Sequence, residues 1–264
     1  MREAWVWALA VGLCLSGTTT SARAQKSMTP SETVLAFYGL MRQQKFVDAF
    51  AYSVYAEAVD GLSEEDLGEL APEFQRTAAD IPAAIEVKGE QVSGDAATVF
   101  ARFGTSEDAQ NVSLVRDGNR WLVGDKEALD QVRAEKTAFF FNARIRVDHN
   151  EVFDLMRQLT GTEDVRFQTK KAYGTLNELI AEEKTIGEEL NDGIASGYKF
   201  MVNVTDDRQA FTVIAIPVRY GRTGKLSFFA SSKSIHAADA HGGVVNEQSP
   251  VLVEDVFKNE QAEP

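Results

Sequence analysis

Cysteine appears once in the 264 residues, at Cys14, histidine three times and proline six. A lone cysteine cannot close a disulfide within the chain, nor build a thiolate metal site, which takes several. The histidines, His149, His236 and His241, all fall in the second half, so the first half has no imidazole for acid–base work. No apolar run approaches the roughly 20 residues of a membrane-spanning helix. Basic residues are also few: 27 Lys and Arg face 40 Asp and Glu, a net charge of −13. That field repels phosphate backbones and anionic lipid, which argues against nucleic-acid and peripheral membrane binding. Catalytic signatures are missing too: no Gly-x-Ser-x-Gly elbow, no His-Glu-x-x-His, no dinucleotide fingerprint after a strand. Gly221 to Lys225 fails as a phosphate loop, because Arg219 stands where the pattern needs glycine and Leu226 where it needs Ser or Thr.

What is present begins with an address. Arg2, an apolar run from Ala4 to Leu15, and Ala22-Arg23-Ala24 in the small-x-small pattern predict a signal peptide over 1–24, cleaved after Ala24. Leu13 precedes Cys14 where lipidation requires a small residue, so a lipid anchor is not expected. Cleavage removes the only cysteine and leaves stability to packing alone. Export without disulfides suggests a bacterial periplasmic or secreted protein with no stable membrane anchor.

The first half reads as helices followed by a sheet. Thr29-Pro30-Ser31-Glu32 combines an N-cap, a first-turn proline and a capping-box glutamate. Val34, Leu35, Tyr38 and Met41 then follow at helical spacing with Phe37 on the flank, and a second amphipathic stretch over 45–55 carries Phe46, Phe50 and Val54. Ser63 caps a third helix whose first turn holds Glu64, Glu65 and Asp66, and Pro72 is expected to break it. Past Pro82 the period falls to two, predicting strands over 84–92, 96–103, 110–116 and 120–123 as one meander. Asp117-Gly118-Asn119 predicts a tight hairpin of type I′, with Val112 and Leu114 facing Trp121 and Val123.

Helices, then a four-stranded meander ending in Arg120-Trp121-Leu122-Val123, resemble the nuclear-transport-factor-2-like and cystatin-like superfamily, over about Ser27 to Lys126. The resemblance implies a sheet curled around a pocket, used for small-molecule chemistry in some members and for binding or dimerising in many. Its enzymatic members place an Asp–His pair or a carboxylate in that pocket; no histidine precedes His149 here, so the pair is not available.

The second half returns to helix from Lys126, with Leu129 and Val132, and runs into Phe139-Phe140-Phe141, three rings that must be buried at the joint of the halves. A helix over 143–159 would turn Ile145, Val152, Phe153, Met156 and Leu159 inward, with Gly161 interrupting it. Thr175-Leu176-Asn177-Glu178 is another capping box. Strands follow over 198–205, 210–218 and 224–230. The middle one is apolar on both faces and is therefore expected to be central and covered. The stretch 237–253 reads as loop and the acidic tail to Pro264 as frayed.

Ala143-Arg144-Ile145, Tyr173-Gly174-Thr175-Leu176, Gly197-Tyr198-Lys199-Phe200, Ala215-Ile216-Pro217-Val218 and Gly221-Arg222-Thr223-Gly224, in that order, resemble the globular head of type IV pilins and pseudopilins. This implies a helix spine across a small antiparallel sheet. The hydrophobic, membrane-spanning half of that family's helix has no counterpart ahead of Ala143.

The expected architecture is thus α+β in two domains, a cystatin-like cone over 25–138 and a pilin-head-like unit over 139–253, with a flexible acidic tail over 254–264. His236, Asp239 and His241 form a His-x-x-Asp-x-His pattern able to offer metal ligands, but the adjoining Gly242-Gly243 suggests a surface turn. No catalytic, cofactor-binding or metal residue is assigned, and no cofactor is expected. The function expected is a non-catalytic, exported binding or scaffolding protein of a bacterial envelope, an unknown envelope protein being a possible partner. The alternatives are a small-ligand carrier or enzyme using the pocket of the first domain, and an accessory pseudopilin-like component of a pilus or secretion system.

Overall fold

A computed structural model describes residues 28–251 of the chain. The stretch expected to be a signal peptide, with its Cys14, and the acidic tail lie outside the described residues. The fold is α+β, with two antiparallel sheets, helices packed on each, and two separate apolar cores.

Thr29 caps α1 (Pro30–Arg42) through the expected capping box. The buried stripe is Val34, Phe37 and Met41; Leu35, expected inward, is 45% exposed. The 45–55 stretch is not one helix. Only α2 (Phe46–Phe50) forms within it and α3 (Ala56–Val59) follows beyond it, because residues 52–54 instead bridge to β4, Tyr52 accepting from the Val123 N–H and Val54 donating to the Val123 carbonyl. Ser63 then caps α4 (Glu64–Ala79), which runs straight through Pro72. Proline's φ is already helical, and its ring lies on the exposed face, where the carbonyl that loses its partner can be hydrated.

The meander follows as β1 (Ile85–Ser93), β2 (Ala96–Phe103), β3 (Gln110–Asp117) and β4 (Arg120–Val123), hydrogen-bonded in that order. In the last hairpin only Gly118 has a positive φ, 59°, so the turn follows the II′ rather than the I′ pattern, and Trp121 stands opposite Arg116, whose guanidinium lies 4.8 Å from the indole centre. One face, built by Ala97, Val99, Ala101, Val112, Leu114 and Trp121, is filled by Val34 of α1 with Tyr38 beside it. At the β3–β4 end the other face takes Leu129 of α5 (Lys126–Glu135) against Val115 and Leu122.

The helical pattern from Lys126 is not continuous. Lys136, at φ 51° and ψ −130°, breaks it, and one turn of 3₁₀ helix leads into α6 (Phe139–Lys170). At 32 residues α6 is about 48 Å long. Gly161 does not interrupt it: Leu159, Glu163 and Arg166 continue the buried stripe on both sides of the glycine, and the packing they provide outweighs glycine's cost in a helix. The three consecutive phenylalanines all pack into the first unit. Phe139 meets Ala58 and Val132, while Phe140 lies 5.4 Å from Phe50 and 5.0 Å from Phe74, ring centre to ring centre. Farther along, Val152, Phe153, Leu155, Met156 and Leu159 are the spine of the second core.

That core is completed by α7 (Leu176–Glu182), opened by the Thr175 capping box, by α8 (Lys184–Glu189), and by a sheet of β5 (Ile194–Ala195), β6 (Tyr198–Val204), β7 (Phe211–Pro217), β8 (Leu226–Ala230) and β9 (Ile235–Asp239) in that order. β7 is central as expected, yet covered on one side only. Phe211, Val213 and Ala215 face the helices, whereas Thr212, Ile214 and Ile216 are only half-buried.

Ion pairs join the units. Asp66, Glu69 and Glu73 form one stripe on α4. Arg144 of α6 reaches Glu69 at 2.8 Å and Glu73 at 2.7 Å, and from the β7–β8 loop Arg219 reaches Glu69 at 3.0 Å and Arg222 reaches Asp66 at 2.6 Å. Arg222 also lies over the Phe141 ring, 3.9 Å from its centre. The loop is held by Tyr198, whose hydroxyl donates to the Leu226 carbonyl at 2.8 Å and passes over Gly224, where a Cβ would lie 1.9 Å from that hydroxyl.

Phe141→Ala should therefore cost about 3–5 kcal/mol in urea unfolding, as a buried phenylalanine of a core does. A cost below about 1 kcal/mol would show that α6 is not anchored in the first unit.

Candidate binding groove

The α1–α2 turn decides where the first cavity opens. The Lys45 N–H donates to the Leu40 carbonyl and the Gln44 N–H to that of Met41, a Schellman closure in which Gln44 takes φ 57° in place of the usual glycine. This swings α2 across α4. Between them lies a cavity of about 290 Å³, lined by Gln44, Lys45, Phe46, Val47, Asp48, Leu67 and Phe74.

Val47 and Leu67 also line the next cavity, of about 470 Å³, whose walls are completed mainly by Ala51, Ala56, Val59 and Leu62, with Glu57, Asp60 and Arg120 at the margin. Gly61 and Leu62 pass in turn into a third, of about 350 Å³, at the joint of the units, where Phe141, Asn142, Arg222 and Lys225 take part. Sharing Val47 and Leu67, then Gly61 and Leu62, the three cavities adjoin one another as a groove along the α2–α3–α4 surface. Its floor is apolar, and Val47 is 48% exposed on it. The polar end is organised: Lys225 Nζ donates to Asn142 Oδ1 at 3.0 Å, and Arg222 is held by Asp66.

Phe46 of the predicted stripe lines the groove, whereas Phe50 is buried in the core, and Val47 carried no signal in the periodicity beyond being an apolar residue off the stripe. Leu62 and Leu67 come from a loop and a helix remote in spacing from it, so only the fold brings them together.

The His-x-x-Asp-x-His pattern does not converge. His236 stands on β9, a strand where loop was expected, and is buried, with Nδ1 2.7 Å from the Ser249 carbonyl and Nε2 2.7 Å from Ser234 Oγ. Asp239 and His241 lie instead on Tyr220, whose hydroxyl donates to Asp239 at 3.0 Å and meets His241 Nδ1 at 2.8 Å. Among the described residues no group of three or more potential ligands is placed to hold a metal.

Three strongly shifted groups lie elsewhere, along α6. Burial pushes the Asp148 carboxyl up to about 7, with Glu151 adding repulsion, and pushes Glu163 up to about 7 although its Oε2 accepts from the Gly174 N–H at 2.8 Å. Burial takes His149 down to about 4; its neutral Nε2 accepts from the Lys225 and Leu226 N–H groups at 3.2 and 3.3 Å, tying the β7–β8 loop to α6. Glu178 moves the other way, down to about 2, through the Thr175 N–H and Arg208. A further cavity, about 480 Å³, is bordered by Glu151, Asp154 and Glu189 on the second unit. None of these four cavities is lined by Asp148, His149 or Glu163.

No family model and no curated protein matches the chain. A solved structure, described as an NTF2-like transpeptidase from Campylobacter jejuni, is similar at 15% identity over 36% of this chain and 97% of that one, with a TM-score of 0.27.

With Asp148 and Glu163 raised, the native state holds protons that the unfolded chain has released between about pH 4.5 and pH 7, so their contribution to stability falls as pH rises through that window. His149 has the opposite sign, its contribution being lost as pH falls from about 6.5 to about 4. Glu163→Gln should accordingly be more stable relative to wild type at about pH 8 than at about pH 5 in urea unfolding. An equal difference at both pH values would show that Glu163 ionises in the fold as it does in water.

Proposed function

We propose that this is an exported, non-catalytic binding or scaffolding protein of a bacterial envelope, and that the α2–α3–α4 groove is where a protein partner docks. The observation that carries the reading is the row of adjoining cavities with an apolar floor and Val47 open upon it, on a chain whose strongly perturbed carboxylates and histidine sit away from every cavity described. Contiguous exposed apolar surface of this kind is what partner sites use. The alternative of a small-molecule pocket within a cystatin-like cone is less well supported, because the sheet face under α1 is occupied by Val34, Val99, Leu114 and Trp121.

A pilin-head-like reading of the second unit has its own support in the spine-and-sheet layout of α6 on β6–β8. In that reading the start of α6, plugged into the first unit by Phe139 and Phe140, does not act as a membrane-inserted stem, which favours a scaffold over a filament subunit.

A photo-reactive phenylalanine analogue at position 47 should crosslink a partner protein in intact envelopes. The same analogue at position 92, where Val92 is equally exposed at 51% but on the β1 edge away from the groove, should not. Equal labelling from both positions, or none from 47, would sink the reading.

A further inference from the structure

The rim of the groove says what kind of partner it takes. Four carboxylates stand at or beside the apolar floor: Asp48 and Asp60 line the cavities, and Glu64 and Glu65 follow directly on Leu62 and Ser63 in the first turn of α4. All four are exposed and none makes an ion pair or a side-chain hydrogen bond. The other charges of the margin are already matched: Glu57 with Arg133 at 3.2 Å, Arg120 with Asp117 at 3.6 Å, and Asp66 with Arg222. Two lining cations have no carboxylate partner, Lys45 at one end of the groove and, at the other, Lys225, which donates to Asn142 instead.

Helix electrostatics account for part of this. Asp48, Glu64 and Glu65 occupy first helical turns, where a carboxylate is favoured. Asp60 does not share that reason: it caps the C-terminal end of α3, the unfavourable end for a negative charge, and has no cation beside it. An unpaired acid kept at the wrong end of a helix, on the lip of an apolar channel, adds to the field of a chain already at −13.

Resting on the binding reading above, we propose that the occupant of the groove is a basic amphipathic peptide segment of a partner protein, bound as a helix. Its apolar stripe lies along the floor where Val47 and Leu67 line both cavities, and its Lys and Arg side chains meet Asp48, Asp60, Glu64 and Glu65. Helix-in-groove recognition supplies the apolar anchors, while charge complementarity supplies steering and the rejection of acidic segments. The same rim disfavours anionic lipid surfaces.

The test uses the full mature chain and two fluorescent peptides that share one leucine stripe at helical spacing, the polar positions being lysine in one and glutamate in the other. Anisotropy titration should show the lysine peptide binding at least about tenfold more tightly, a difference that shrinks as salt is raised and the Debye length shortens. Val47→Ser should weaken binding of the lysine peptide. Neutralising the rim with Asp48→Asn, Asp60→Asn, Glu64→Gln and Glu65→Gln should remove its advantage over the glutamate peptide. Neutralising four exposed acids elsewhere, Asp95→Asn, Glu107→Gln, Asp108→Asn and Glu247→Gln, removes the same net charge and should leave that advantage in place. Equal binding of both peptides, lost in Val47→Ser, would overturn the basic partner and leave the groove standing as a binding site. Binding of neither peptide would overturn both readings. An advantage lost equally in the two quadruple variants would reduce the effect to net charge and overturn the proposal.

Discussion

One helix belongs to two cores, and most of the molecule's organisation follows from that. Phe139, Phe140 and Phe141 complete an aromatic cluster with Phe50, Tyr55 and Phe74 in the first unit, and from Val152 onward the same rod lies across the second sheet. A continuous hydrogen-bonded helix bends little without proline or an inserted side chain. Burying its two ends in different cores therefore fixes how far apart those cores stand. Lys136 makes this possible: the break at φ 51° lets α5 pack on the outer face of β3–β4 while α6 leaves at a new angle.

The ion pairs of α4 complete that joint. Arg144 is only 14% exposed at its side chain and is shared between two carboxylates, Glu69 and Glu73, in charge-assisted hydrogen bonds that are screened less than those of exposed surface pairs. Arg222 combines an ion pair with stacking on Phe141, so the loop between β7 and β8 is tied to the helix that enters the first unit. His149 holds the same loop by accepting two of its backbone N–H groups, which requires the ring to be neutral and explains in chemical terms why burial can keep it so. The groove ends at this joint, and its polar wall is made from residues whose first task is to connect the units.

Local signals were legible wherever the cause was local. The capping boxes at Thr29 and Thr175 and the Ser63 cap are each present, Ser63 closing a box with Asp66 besides, and the four strands of the first meander fall within a residue of their expected limits, because side-chain capping and period-two alternation act within a few residues. Readings failed where a distant partner decided the outcome. The 45–55 stretch has helical periodicity, yet residues 52–54 follow β4; Gly161 was expected to interrupt a helix that burial on both sides sustains; β9 was missed because its pairing with β8 is not visible in a segment rich in Gly, Asp and Ser. The candidate metal pattern dissolved for the same reason, since strand alternation sends His236 inward while Asp239 and His241 stay on the surface.

The groove stands at the far end of that scale. Asp48, Asp60, Glu64 and Glu65 could be read from the chain only as solvated acids, and Val47 only as an apolar residue out of step with its helix. By itself the sequence determined composition, the excess of negative charge, the α+β class and most element boundaries, since each depends on side-chain chemistry and short-range backbone preference. Tertiary structure alone decided that three phenylalanines of the second half would finish the core of the first, and that α2, α3 and α4 would leave a furrow between them. Those outcomes depend on contacts between segments tens of residues apart, whose free energy exists only once both sides have been brought together.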